Sequence, residues 1–165
     1  MAFTNTSAAL RQTGGLIVQR LSQGLQEDNA IASGELDKSI NFNVKSSDKK
    51  IVLDITMLDY WGAVDGGRKA GKQPPIDKIK EWLTYPNVRD KMRFGQSDAA
   101  FTETEKNSLA FLIARKIGRQ GTKGNNFATN VFTSDLITNE LPDIVLNAVI
   151  EDADEVLAEL LAKFR

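Results

Sequence analysis

The sequence predicts an α+β fold: an N-terminal helix, a β-hairpin, short helices and a long C-terminal helix, all in one domain spanning residues 1–165. Three observations predict it. Apolar residues recur at helical spacing near both ends of the chain, and two segments around residues 40–57 alternate apolar and polar side chains. Glycine- and proline-rich stretches separate the periodic segments, with no internal repeat, low-complexity tract or linker between them. A chain of 165 residues can bury most of the surface its unfolded form exposes.

The first helix rests on Leu10, Ile17, Val18, Leu21 and Leu25, which share one face at a 3.6-residue period. It is expected from about Ser7 to Glu27, with the hydroxyl of Thr6 or Ser7 accepting from an orphan N–H of the first turn. Gly14, Gly15 and Gly24 each weaken it by up to ~1 kcal/mol relative to alanine, so the helix needs a surface to pack on. Ser33, Glu35 and Leu36 suit a short helical turn. Ile40, Phe42 and Val44 then alternate with Asn41, Asn43 and Lys45, and Ile51, Leu53, Ile55 and Met57 alternate with Val52, Asp54 and Thr56. Ser46, Ser47 and Asp48 supply turn chemistry between them. The resulting hairpin is expected to lay its apolar face on the first helix, because two strands alone are marginal in water.

The stretch DYWGAVDGGRKAGKQPP reads as one helical turn around Tyr60, Trp61 and Val64, followed by a basic, glycine-rich loop. Pro75 suits the first residue of a short helix, PIDKIKEWL, whose apolar face is Ile76, Ile79, Trp82 and Leu83. PNVRDKMRFGQSDAAF reads as an irregular polar connector. Thr102 with Glu105 forms a capping-box pair opening a helix with Leu109, Phe111, Leu112, Ile113 and Ile117. That helix is apolar around much of its girth, so it is expected to be centrally buried and to stop between Gly118 and Gly121. GTKGNNF is a second basic loop. In the last helix Val145, Val149, Val156, Leu160 and Phe164 form a stripe, with Pro142 and Asp143 in its first turn.

Composition removes several function classes. The chain has no cysteine and no histidine, so disulfides, thiol chemistry, the usual zinc sites and imidazole-based acyl transfer are all closed to it. No apolar run approaches the roughly 18 residues a membrane span needs, and MAFTNTSAALRQTGG lacks the pattern of a secretory signal. Synthesis in a cytoplasm is the expectation. A net charge of −1 gives no global pull toward nucleic acid or anionic lipid. The charge is unevenly placed, however. Arg68, Lys69 and Lys72 make one basic loop, and Arg115, Lys116, Arg119 and Lys123 a second, while the C-terminal segment carries Glu151, Asp152, Asp154, Glu155 and Glu159. These are either solvated faces or, more sharply, basic loops of one subunit meeting the acidic helix of the next.

Three constellations carry potential chemistry. Gly66, Gly71 and Lys72 reproduce part of a phosphate-binding loop, but Gln73 stands where a Mg²⁺-holding hydroxyl is required, and Pro74-Pro75 interrupts the helix that must follow. A Mg²⁺-dependent site could draw on Asp54, Asp59, Asp65, Asp77 and Glu81, yet Asp77 and Glu81 lie beside Lys78 and Lys80 in an ordinary ion-pairing pattern. The aromatics Tyr60, Trp61, Trp82, Tyr85, Phe94 and Phe101, interleaved with Arg68, Lys69, Arg89, Lys91 and Arg93, admit a nucleic-acid reading. They suit core anchors and subunit contacts better.

Three segments, in order, resemble a known family: SGELDKSI at 33–40, similar to a small-Gly-x-Leu-x-x-Ser-Ile lead-in to a hairpin; DYWGAVDGGRKAGKQPP at 59–75, similar to a Tyr-x-x-x-Val-acidic-x-Gly turn with a basic proline-containing loop and a helix after it; and FLIARKIGRQGTKGNNF at 111–127, similar to a helix and Gly-rich loop before a phenylalanine-led segment. The family is the neck and tail-completion (minor tail component) proteins of long-tailed bacteriophages. FATNVFTSDLITNELP departs from it, being longer and more polar than the family's run into the last helix.

The resemblance implies a non-catalytic structural virion protein, with no cofactor and no metal. It would form a homo-oligomeric ring of six or twelve copies around the DNA channel at the head–tail connection, in the neck or upper tail, assembled in the host cytoplasm. Its partners would be copies of itself, portal-side head-connector proteins and tail-tube proteins, with weak sequence-independent contact to channel DNA. Arg68, Lys69, Lys72, Arg115, Arg119 and Lys123 are the expected partner or DNA-channel contacts. Tyr60 and Trp61 are expected to pack the hairpin and its following turn. The alternative is a small DNA-binding or nucleic-acid-processing protein using the same basic loops.

Overall fold

A computed structural model describes residues 3–27, 32–47, 50–92 and 101–164. The fold is α+β, with 68% of the described residues helical and 12% in strands, and the chain gathers into two compact units, each built from non-contiguous stretches.

The first unit joins residues 1–24, 38–58 and 127–165. Helix α1, Thr4–Glu27, buries Leu10, Ile17 and Leu21, as its periodicity predicts. The short helix α2, Glu35–Ser39, leads into strands β1, Asn41–Ser47, and β2, Lys50–Thr56. Their antiparallel register pairs Phe42 with Ile55 and Val44 with Leu53, which places all four on one face. A Cβ at Gly14 would collide with the Phe42 ring and the Leu53 methyl. The glycine that weakens α1 is therefore what lets the hairpin lie flat on it. On the opposite hairpin face Lys45 pairs with Asp54 at 2.6 Å. Ser46 and Ser47 are strand residues, and the expected turn position Asp48 lies outside the described residues.

The same unit contains helix α7, Phe127–Phe132, then a π-helical turn, Leu136–Glu140, that runs directly into helix α8, Leu141–Ala162. (α3–α6 belong to the second unit.) Phe127 is buried against Gly24, its Cβ 3.2 Å from where a glycine Cβ would stand. The start of α1 differs from expectation. It begins at Thr4, so Thr6 lies inside the first turn, and the cap comes from α8. The Asp152 carboxylate accepts from the Asn5 N–H at 2.8 Å, the Thr6 N–H at 2.9 Å and the Thr6 hydroxyl at 2.6 Å. A helix start leaves its first N–H groups without intrahelical partners, and an anion there also meets the positive end of the helix dipole.

The second unit joins residues 25–37 and 59–126. Helix α3, Trp61–Asp65, is followed by the two-residue strand β3, Gly67–Arg68. Helix α4, Ile76–Trp82, starts after Pro75, and helix α5, Pro86–Met92, follows at once. The latter corrects the first part of the expected irregular connector, whose residues 93–100 lie outside the described residues: Pro86 fits the first position of a helix, and Val88 is buried. Helix α6, Glu103–Gln120, carries the predicted capping box of Thr102 and Glu105 and ends on Gly121 at φ 74°. Leu83, Val88, Phe101 and Ala110 form the core here, with Ile79, Trp82, Leu109 and Ile113 packed around it. The expectation that α6 is centrally buried fails. Only Ala110 and Ala114 are fully enclosed, while Phe111 is 49% and Leu112 58% exposed. An all-round apolar helix signals burial, but in the single chain one side of α6 has no cover.

Candidate functional site

The two basic loops meet within the second unit. Strand β3 pairs antiparallel with β4, Thr122–Lys123, matching Gly67 to Lys123 and Arg68 to Thr122. The stitching continues on both sides. Gly71 donates to the Gly118 carbonyl at 2.8 Å, Asn125 to Val64 at 3.1 Å and Asn126 to Asp65 at 2.9 Å. Glycine is obligatory at the crossing. Gly67 and Gly121 hold positive φ, where a side chain is strained, and a Cβ at either would overlap the Thr122 or the Arg68 carbonyl. Gly124 backs directly onto the Asp65 carbonyl. The loops that looked free in sequence find their first partner in each other.

This ladder gathers most of the predicted contact residues. Arg68 lies in β3, and its guanidinium donates to the Lys72 carbonyl. Lys123 lies in β4, and Arg119 in the last turn of α6, four residues before it. Lys69 and Lys72 are exposed on the intervening loop, and Arg115 is exposed one helical turn before Arg119. Among the described residues no carboxylate pairs with Lys69, Lys72, Arg115, Lys116, Arg119 or Lys123. The result is a concentrated positive surface with rigid backbone beneath it. No helix opens after Lys72, because α4 starts only at Ile76. The partial phosphate-loop pattern therefore lacks the N-terminus it would need.

Beside this surface, α4, α5, α6 and β4 enclose a groove of about 860 Å³. Its floor is apolar, made by Ile79, Trp82, Met92, Ile113 and Ile117, and its rim carries Lys78, Lys116 and Lys123. Lys78 is held by Glu81 at 2.9 Å. That hydrogen bond, with the attraction of the same carboxylate, raises the ammonium pKa. Among the described residues no carboxylate pairs with the other two rim lysines.

Tyr60 and Trp61 open α3 and stay 46% and 37% exposed. Tyr60 lines a smaller hollow with Leu36, Val64 and Trp82. Burial raises its phenol pKa, as do the charges of Glu35 and Tyr85, against a backbone hydrogen bond with Leu36 that lowers it.

In the first unit, one carboxylate of the acidic helix, Asp152, turns inward onto α1. Burial pushes its carboxyl pKa up, but hydrogen bonds from the Thr6 hydroxyl, the backbone of Thr6 and Asn5, and the Asn5 side chain outweigh that and hold it below the ordinary value. Ala148 is buried too, and of the predicted stripe Val145 and Val156 are half-buried while Val149, Leu160 and Phe164 are exposed. Leu146, Ile150, Leu157 and Leu161 are exposed as well and form an apolar ridge along the helix. Glu151 and Asp154 flank it, and the helix carries no lysine or arginine.

Three of the five candidate carboxylates for metal chemistry sit in local pairs: Asp54 with Lys45, Asp77 with Lys80 at 3.8 Å, and Glu81 with Lys78. Among the described residues no three His, Cys, Asp or Glu side chains group as metal ligands would. No helix among the described residues is long and apolar enough to cross a membrane. Comparisons with protein-family profiles, curated proteins and solved structures return no match to this chain.

Proposed function

We propose that the chain is a non-catalytic structural subunit of a bacteriophage head–tail junction, a neck or tail-completion protein that closes into a ring around the DNA passage. The observation that carries this reading is the exposed apolar ridge of α8, Leu146, Ile150, Leu157 and Leu161, continued by Phe164 just past the helix. Exposed apolar patches larger than a few hundred Å² mark interaction sites, and an amphipathic helix without a partner is half of an interface. The resemblance across residues 33–40, 59–75 and 111–127 supplies the virion context. The ring would hold six or twelve copies and join portal-side and tail-tube proteins, with Arg68, Lys69, Lys72, Arg115, Arg119 and Lys123 facing neighbours or the channel.

The unpaired cations on the β3–β4 ladder favour a second reading, a small DNA-binding protein. A ring subunit would touch channel DNA weakly and without base preference, whereas a dedicated binder would hold duplex as a monomer with a steep salt dependence. The deciding experiment is a head–tail joining assay with phage extracts that lack the chain. Addition of the purified protein restores joined particles if the reading holds; heads and tails that join equally well without it refute the reading.

A further inference from the structure

We propose that the C-terminal half of α8 from one copy docks in the groove between α4 and α6 of a second copy. This deepens the ring reading and rests on it, since it names the surfaces by which copies join.

The two surfaces match in chemistry. The groove is an apolar trough with Lys116 and Lys123 at its rim, neither paired with a carboxylate among the described residues. Helix α8 presents an apolar ridge, Ile150, Leu157 and Leu161, at helical spacing with Glu151 and Asp154 alongside. Laying an amphipathic helix into an apolar groove is a common mode of protein recognition, and charge complementarity at the rim would set its direction and register. A lipid surface is a poor occupant, because helices that lie on membranes carry basic rather than acidic flanks.

The same matching selects a second copy of this chain over an unrelated partner. Every copy carries both the ridge and the trough. A contact that joins two different patches of the same protein is head-to-tail, and it generates a ring when the rotation closes. A self-complementary two-fold patch would stop at a dimer.

The chain has no cysteine, so engineered pairs report on contacts directly. Ile117→Cys and Leu157→Cys, prepared as separate full-length proteins and mixed, should form a disulfide-linked dimer containing one of each on mild oxidation. Neither protein alone should do so. In parallel, Lys116→Glu with Lys123→Glu, or Glu151→Lys with Asp154→Lys, should each weaken self-association by about tenfold or more. Mixing the two charge-reversed proteins should restore it, because each then meets a complementary neighbour. All four positions are exposed, so unchanged circular dichroism and thermal unfolding will show that folding is intact.

Three outcomes overturn the proposal. A wild-type protein that stays monomeric at high concentration removes both this contact and the ring reading. Assembly that proceeds unchanged in both charge-reversed proteins, with no mixed disulfide, removes this contact alone and leaves the ring standing on other surfaces. A disulfide that forms only within one chain carrying both cysteines shows that α8 folds onto its own groove.

Discussion

Thr6 gives both its backbone N–H, at 2.9 Å, and its hydroxyl, at 2.6 Å, to a single oxygen of Asp152, 146 residues later in the chain. The contact is buried at both ends. It ties the first turn of α1 to the middle of α8, so the N-terminal helix is capped by the C-terminal one and not by a hydroxyl of its own.

Asp152→Ala removes this cap and leaves the N–H groups of Asn5 and Thr6 unmet. The expected cost is about 2 kcal/mol, in the range of strong helix caps and of hydrogen bonds to charged groups. Chemical denaturation measures it directly. Thr6→Val, which removes only the hydroxyl donor, should cost less, and the two changes together should cost less than their sum.

The same carboxylate makes stability depend on pH. Its pKa is lower in the folded protein than in the unfolded chain, so the unfolded state holds its proton more tightly. The contribution is therefore complete above the ordinary carboxylate range and is lost as pH falls through the folded-state value. Wild type and Asp152→Asn should differ most near neutral pH and converge in acid. A difference that stays constant from pH 7 to pH 2 would contradict the assignment.

Two adjacent glycines in α1 should respond in opposite senses to alanine. At Gly15 a Cβ meets nothing within 4 Å, so Gly15→Ala should stabilise by up to ~1 kcal/mol through helix propensity. At Gly14 a Cβ runs into Phe42 and Leu53. The overpacking penalty of about 1–3 kcal/mol should outweigh the propensity gain, so Gly14→Ala should lower the thermal midpoint.

The ladder under the basic surface offers a third contrast. Gly67→Ala and Gly121→Ala each place a side chain at positive φ and against a carbonyl, and each should cost more than about 1 kcal/mol. Gly71→Ala, in open space, should be close to neutral. Hydrogen exchange should show the Gly71 and Asn126 amides protected in wild type and released in Gly67→Ala.

Local pattern carried much of this fold. Period-two alternation at Phe42 and Val44 placed the hairpin and its inward face, Thr102 with Glu105 marked the start of α6, and Pro142 marked the opening of α8. What escaped the sequence depended on distant pairing. Nothing near Gly67 announces that it will cross Thr122, and Asp152 read as one member of an acidic run. A usable signal did exist, for Asp152 lies four residues after buried Ala148 on the inward face of α8, where a carboxylate demands donors. The error at α6 has a different cause. Apolar residues all round α6 point to burial, but Phe111 and Leu112 remain exposed within their unit. The candidate contact residues were legible as charge clusters, but their union on one ladder was not.

Sedimentation velocity of the purified full-length chain tests the central claim most directly. A closed oligomer of six or twelve copies, with a sharp boundary that does not shift on dilution across the micromolar range, is the predicted result. A single species of monomer mass up to the highest concentration reached would contradict it.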